Sequence, residues 1–238
     1  MIRRYSLLLS YVNLLASLLF PQLVSASGLQ VTPVTLTFSP QQNSAGIWLS
    51  NNGQETIQAQ VRTFLWSQNN FKDELAPTKD IIISPPMIKL APNEQQLVRV
   101  IRNNLASGKT ERSYRLSINE IPISSVKNNK LQFVLHYSLP IFVQPINMPP
   151  ATVLLEWQLS SSTNNLISLQ NKGNTHAQIS AVNIVDCKGK RTNINQGLLG
   201  YALANSSMQW KIGSIEICSG KNNKLEATIN GEQKIYAL

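Results

Sequence analysis

The chain has 238 residues, of which 42% are hydrophobic and only 14% charged, and its formal net charge at pH 7 is +9. The basic residues form neither a run nor an amphipathic helix, so the sequence gives little support for nucleic-acid binding. Only two histidines are present, and no GxSxG turn, HExxH motif or recognisable carboxylate pair appears. We therefore expect neither an enzyme nor a bound cofactor or metal.

The first 26 residues have the pattern of a secretory signal peptide. Arg3 and Arg4 precede an apolar stretch over residues 7–20, and small residues follow up to Ala26. The alternative is a transmembrane anchor, but the stretch contains polar residues, is short and is followed at once by Pro21. Cleavage after Ala26 would leave nineteen basic and twelve acidic residues in an exported chain. This surplus suits a partner that carries carboxylates, although a solvated surface is its commoner meaning.

The remaining residues have the composition of an all-β protein. Val, Ile, Thr and Leu alternate with polar residues, and Asn, Gly and Pro punctuate the chain at short intervals. The length suffices for two domains of about a hundred residues each. Residues 144–150, which are proline-rich and show no strand pattern, are the predicted joint. We place the first domain at 27–145 and the second at 151–238.

Strands are predicted at residues 34–38, 46–50 and 56–66. Trp48, on the second of these, is expected to fill the core of a sandwich. Residues 81–100 should form short strands separated by a corner at Pro85 and Pro86, where one prolyl bond is a candidate for the cis form. Strong alternation continues over residues 113–122. It predicts that three side chains face inward, namely Tyr114, Leu116 and Ile118.

An apolar row marks the next strand, KLQFVLHYSL at residues 130–139. Every second residue is apolar, and Pro140 follows, which favours a position at the edge of a sheet. An exposed apolar edge is suited to pairing with a strand of another chain, and it also allows the free protein to self-associate. The alternative is an ordinary strand whose apolar row faces its own core. The row consists of Leu131, Phe133, Leu135, Tyr137 and Leu139.

Cys187 and Cys218 are the only cysteines, and both lie in the second predicted domain. An even pair in an exported protein predicts one disulfide. The alternative, half of a metal site, lacks a known ligand spacing because His136 and His176 are distant in sequence.

Several stretches, in order, resemble the PapD-like periplasmic chaperones of chaperone–usher pilus assembly. These are SPPMIKLAPNE at 84–94, LVRV at 97–100 and ERSYRLSINEIP at 111–122, with weaker similarity at 169–173 and 200–203. GIWLSNNG at 46–53 and HYSLPIF at 136–142 look like the archaic class of these systems. The resemblance implies two immunoglobulin-like β-sandwiches in a boomerang arrangement.

The resemblance also implies a function in the periplasm. Such a chaperone binds one pilus subunit, completes the subunit's fold with a donor strand, and delivers it to an outer-membrane usher. The matching residues here are Leu131, Phe133 and Leu135. The main alternatives are a two-domain β-sandwich adhesin and a fimbrial structural subunit. An adhesin would not explain the motifs in series, and a subunit would be shorter and begin with its own donor segment.

The chain departs from the well-studied branch at the residues that hold a subunit's C-terminal carboxylate. Thr35 and Pro140 stand where that branch has basic residues, and Gln144 replaces its arginine at the domain joint. A substitute should be an arginine on a rigid strand, because arginine is always charged and binds carboxylates with two donors. We predict Arg115. Arg99 is expected to have a structural partner such as Glu94 or Glu120, and Arg102 and Arg112 are expected to be solvated.

Overall fold

The computed structural model describes residues 28–103, 108–122, 133–160, 165–213, 215, 218 and 222–238. The predicted signal peptide lies outside these residues. The described part is built of β-strands, and it contains no helix long and apolar enough to cross a membrane. The strands of its first half are β1 (Leu29–Thr32), β2 (Leu36–Phe38), β3 (Ser44–Asn51), β4 (Ile57–Asn69), β5 (Lys72–Pro77), β6 (Ile81–Ser84), β7 (Met87–Leu90), β8 (Gln95–Arg102), β9 (Arg112–Ile121) and β10 (His136–Val143).

The first ten strands form two sheets that pack face to face. One sheet has the order β1-β3-β8-β6, and the other has the order β2-β10-β9-β4-β5 with β7 also paired to β4. Tyr114, Leu116 and Ile118 are buried between the sheets, as their alternation predicts. The chain crosses from the first sheet to the second between β1 and β2, at a cis Thr32–Pro33 bond. The predicted corner contains the second cis bond, Ser84–Pro85.

The second half forms another pair of sheets from β11 (Leu155–Leu159), β12 (Leu166–Asn171), β13 (Ala177–Val185), β14 (Arg191–Ala202), β15 (Ser206–Lys211), β16 (Lys224–Ile229) and β17 (Glu232–Ala237). The sheet orders are β11-β12-β15 and β14-β13-β16-β17. They enclose a separate apolar core that includes Ile167, Ile179 and Leu225. The disulfide joins Cys187 to Cys218. The exact domain limits given above stay a prediction.

Each sandwich contains a buried asparagine at the end of a strand, and its side chain makes the same set of hydrogen bonds to the backbone in both. In the first, the Asn51 amide donates to the backbone oxygens of Glu55, Leu90 and Ala91, and its oxygen accepts from the Gly53 amide. In the second, Asn171 donates to Thr175, Ala202 and Leu203 and accepts from Gly173. Each asparagine therefore joins three separate backbone oxygens to one turn.

Two expectations about the first sandwich are wrong. Trp48 is 47% exposed, because its neighbours Ile47 and Leu49 are the residues of β3 that face the core. Arg102 is buried rather than solvated, and its Nη1 donates to the backbone oxygen of Pro40 at 3.0 Å. In both cases the pairing of distant strands decides which face is covered.

Candidate functional site

β10 is only partly an edge strand. Antiparallel pairing with β9 runs along its whole length, while parallel pairing with β2 covers only Ile141, Phe142 and Val143. The prediction of a long edge strand is therefore wrong for residues 141–143, which lie between β9 and β2. No described strand pairs with residues 136–139 on the β2 side, where His136 and Ser138 are exposed, so these residues present an open edge.

Two backbone hydrogen bonds show which groups face that open edge. Glu120 donates to the oxygen of Leu135 on the β9 side, and Gln144 donates to the oxygen of Phe38 on the β2 side. Because antiparallel pairs alternate between bonded and non-bonded positions, the even-numbered residues of β10 turn their backbone groups toward β2 and the open edge. Pro140 is one of these residues. Lacking an N–H, it leaves no unpaired donor beside the end of β2.

The three predicted donor residues fall in different places. Leu131 lies outside the described residues. Phe133 precedes the strand and is 72% exposed, whereas Leu135 is half-buried and packs against the first core. Tyr137 also packs there, and its hydroxyl donates to the backbone oxygen of Leu29 on β1. The apolar row thus faces the chain's own core from Leu135 onward, while Phe133 projects from it.

Arg115 lies on the outer face of the second sheet, opposite Pro140 in the register of β9 and β10. Its guanidinium carbon sits 3.6 Å from the centre of the Trp66 ring and 5.3 Å from that of Tyr201. Burial lowers the pKa of Arg115 from its ordinary value, and the Asp73 carboxylate and Tyr201 oppose this effect. Its Nη1 is 3.5 Å from the backbone oxygen of Ser138, too far for a strong hydrogen bond.

Tyr201 belongs to the second sandwich, so Arg115 lies at the contact between the two halves of the molecule. Gln68 makes two hydrogen bonds across this contact. Its amide nitrogen donates to the backbone oxygen of Tyr201, and its oxygen accepts from the amide of Leu203. Both bonds are buried, at 2.9 and 2.8 Å. Trp66 and Phe142 from the first sandwich share one apolar cluster with Tyr201 and Leu203.

Glu111 and His176 form a second polar contact between the two sandwiches. The Glu111 carboxylate, which is buried, accepts from the backbone amide of His176 and lies 2.7 Å from its Nδ1. The imidazole stacks flat on Phe142 with 3.4 Å between ring centres. A buried carboxylate requires hydrogen-bond donors, and the backbone amide of His176 supplies one to Glu111.

The other basic candidates are committed elsewhere or lie apart. Arg112 forms an ion pair with Asp80 at 3.3 Å, and the Arg112 side chain is 45% exposed. Asp80 also accepts from the Tyr114 hydroxyl, and burial is the main cause that raises the pKa of Tyr114 to about 12. Arg99 is exposed on β8, in the other sheet. Its proposed partners have other contacts, because Glu94 accepts from the Ala91 amide and Glu120 from the Leu135 amide.

The sequence did not point to the residues that surround Arg115. Gln68, Trp66 and Asp73 come from one hairpin, and Tyr201 comes from 128 to 135 positions further along the chain. The one available signal was the weak family similarity at residues 200–203, which includes Tyr201. Among the described residues, no cluster of His, Cys, Asp and Glu could hold a metal ion.

Comparisons with known proteins agree with this architecture. The CsuC–CsuE chaperone–tip adhesion subunit complex from the archaic Csu pili of Acinetobacter baumannii matches at 22% identity with a TM-score of 0.70, over 88% of this chain and 97% of that chain. The YadV chaperone matches at 14% identity and 0.67, over 89% and 100%. The Salmonella enterica SafA pilin–SafB chaperone complex matches at 13% and 0.61, over 90% and 98%. These likenesses confirm the predicted fold of two immunoglobulin-like sandwiches.

The sequence itself places the chain in a family. Among curated proteins no sequence matches it. The family model of the PapD N-terminal domain, described as a pili and flagellar-assembly chaperone, matches residues 28–149. That match covers just over half of the 238 residues. The chain therefore belongs to the PapD family of pili and flagellar-assembly chaperones.

Proposed function

We propose that this chaperone binds pilus subunits in the periplasm through the open edge of β10 and delivers them to an outer-membrane usher, without catalysing a reaction. The observation that carries the proposal is the partly covered strand β10. An added strand can pair with residues 136–139 but must stop where β2 begins. Phe133, exposed next to this edge, is free to enter a groove on the subunit.

The end of the open edge also supports Arg115 as the carboxylate anchor. Pro140, which is buried between the open edge and the residues paired with β2, lies opposite Arg115 in the sheet. A subunit strand that runs parallel to β10 would bring its C-terminal end to this row, beside a guanidinium that is already held against an aromatic ring. An antiparallel strand would bring an N-terminal amine there instead, which a guanidinium would repel.

The donor residues are tested by replacing Leu131 and Phe133 with aspartate. We expect a folded, exported chaperone that no longer co-purifies one-to-one with pilus subunits, because each buried side chain of this size contributes about 1.5–3 kcal/mol. Leu75→Asp is the matched control, since Leu75 is 51% exposed on β5, at the far edge of the same sheet. Unfolding of the double variant would mean that the row serves the chain's own core.

The anchor is tested by Arg115→Ala, with Lys89→Ala as the control. Lys89 is exposed on β7, away from β10. Loss of an interfacial charge pair typically costs about 2–5 kcal/mol, so the affinity for the subunit should fall roughly 30-fold or more. Recovery at the wild-type level would remove Arg115 from the site and direct the search to Arg99.

A further inference from the structure

The aromatic ring beneath Arg115 is itself held by a hydrogen bond. Trp66 Nε1 donates to Asp73 Oδ1 at 2.9 Å, and the ring is almost fully buried. The same Asp73 oxygen accepts from the Gln68 amide nitrogen at 2.9 Å. Arg115, Trp66, Asp73 and Gln68 thus form a continuous chain of contacts within the first sandwich.

Gln68 extends this chain of contacts into the second sandwich. Its amide nitrogen donates both to Asp73 and to the backbone oxygen of Tyr201, and its oxygen accepts from Leu203. The Tyr201 ring then returns to the starting point, because it stands edge-on to Trp66 at 5.4 Å and close to the Arg115 guanidinium. The contacts form a closed circuit that passes through both sandwiches.

Such a circuit fixes the direction of a flexible side chain. Arginine has several rotatable bonds, and ordering them when a ligand binds opposes affinity. A guanidinium that rests on one ring and beside a second is ordered before binding, while its N–H edge stays available for a carboxylate. One of the two rings is present only when the sandwiches are in contact.

We infer that Tyr201 and Gln68 are positioning residues for the Arg115 anchor, so that the second sandwich takes part in capturing the subunit's C-terminal carboxylate. This inference rests on the proposed function. The second sandwich provides no described strand at the open edge of β10, and this contact gives it a direct part in recognition.

The test combines subunit capture with a double-mutant cycle, using the subunit that co-purifies with the wild-type chaperone. Tyr201→Leu removes the ring but keeps an apolar side chain, and it should weaken capture roughly 3- to 30-fold. Tyr201→Phe, which keeps the ring, should capture the subunit as well as the wild-type chaperone does. In an Arg115→Ala background, Tyr201→Leu should have no further effect. Independent, additive losses would overturn the inference.

A second measurement needs no subunit and separates this inference from the proposed function. The Arg115 side-chain NMR signal of the free chaperone should carry a ring-current shift, which Tyr201→Leu and Gln68→Ala should reduce and Tyr201→Phe should preserve. Tyr236→Leu is the control, because Tyr236 packs beside Trp157 in the second core and should leave the signal unchanged. An Arg115 signal insensitive to both positioning variants refutes the inference. Failure of Arg115→Ala to affect capture refutes the anchor itself.

Discussion

Replacing the buried asparagine of each sandwich should destabilise that sandwich and leave the other nearly unchanged. Asn51→Ala removes at least three hydrogen bonds, because the two amide hydrogens are shared among three backbone oxygens and the amide oxygen accepts one bond. Each is worth about 0.5–1.5 kcal/mol net. The backbone groups of Glu55 and Ala91 are near solvent and can bind water after the change, whereas that of Leu90 is buried. We therefore expect a loss of about 2–4 kcal/mol.

Asn51→Asp should cost at least as much. An ionised carboxylate can accept the Gly53 bond but cannot donate, so three carbonyl oxygens would face a negative charge. This variant separates the hydrogen-bond explanation from a simple loss of side-chain volume, which aspartate would preserve.

Hydrogen exchange followed by mass spectrometry provides the assay, because it resolves β3 and β8 of the first sandwich from β13 and β16 of the second. Asn52→Ala is the control, since Asn52 is exposed beside Asn51. Asn171→Ala and Lys172→Ala form the corresponding pair in the second sandwich. Losses below about 0.5 kcal/mol for Asn51→Ala, a size typical of surface substitutions, would refute the reasoning.

Three further predictions follow from single features of the structure. The fold favours the neutral form of Tyr114, so its contribution to the free energy of unfolding should be complete below pH 10 and disappear as the pH rises toward its pKa of about 12. Denaturant titrations should show that the free energy of unfolding declines less over this pH range for Tyr114→Phe. Reduction of the Cys187–Cys218 disulfide, whose partners are 31 positions apart, should destabilise the second sandwich by about 3–4 kcal/mol in the chain-entropy model; equal exchange rates before and after reduction would contradict this. Trp48→Thr should change the free energy of unfolding by only about 1 kcal/mol, because the ring is half-exposed; a loss comparable to that of Leu49→Ala would place Trp48 in the core.

Sequence patterns correctly predicted features that depend only on neighbouring residues of one strand. The alternation in β9 predicted which of Tyr114, Arg115 and Leu116 turn inward, because successive residues of any strand face opposite sides. The same rule could not decide which side of β3 is the core, so it failed for Trp48. That choice depends on the neighbouring strands, and Ile47 and Leu49 satisfy the alternation equally well.

The site depended on contacts that no local pattern encodes. β2 covers three of the eight residues of β10 through parallel pairing between residues 105 positions apart, so the sequence predicted an edge but not where that edge ends. Gln68 and Leu203 are 135 positions apart, and Glu111 and His176 are 65 apart. Family resemblance located the strand and suggested which arginine to consider. Only the three-dimensional structure brings Tyr201 beside Arg115.

If a subunit strand adds at the open edge, the fixed end of that edge would give the chaperone a means of measuring length. Pro140 stands opposite Arg115, and β2 prevents an added strand from continuing past this row. At about 3.3 Å per residue, Phe133 lies roughly 23 Å along an extended chain from Pro140. If Arg115 holds the carboxylate, every subunit must present its groove at the same distances from its own C-terminus. Subunit sequences could then diverge freely elsewhere, while an insertion or deletion of one residue in the last strand would turn its side chains to the wrong face and prevent capture.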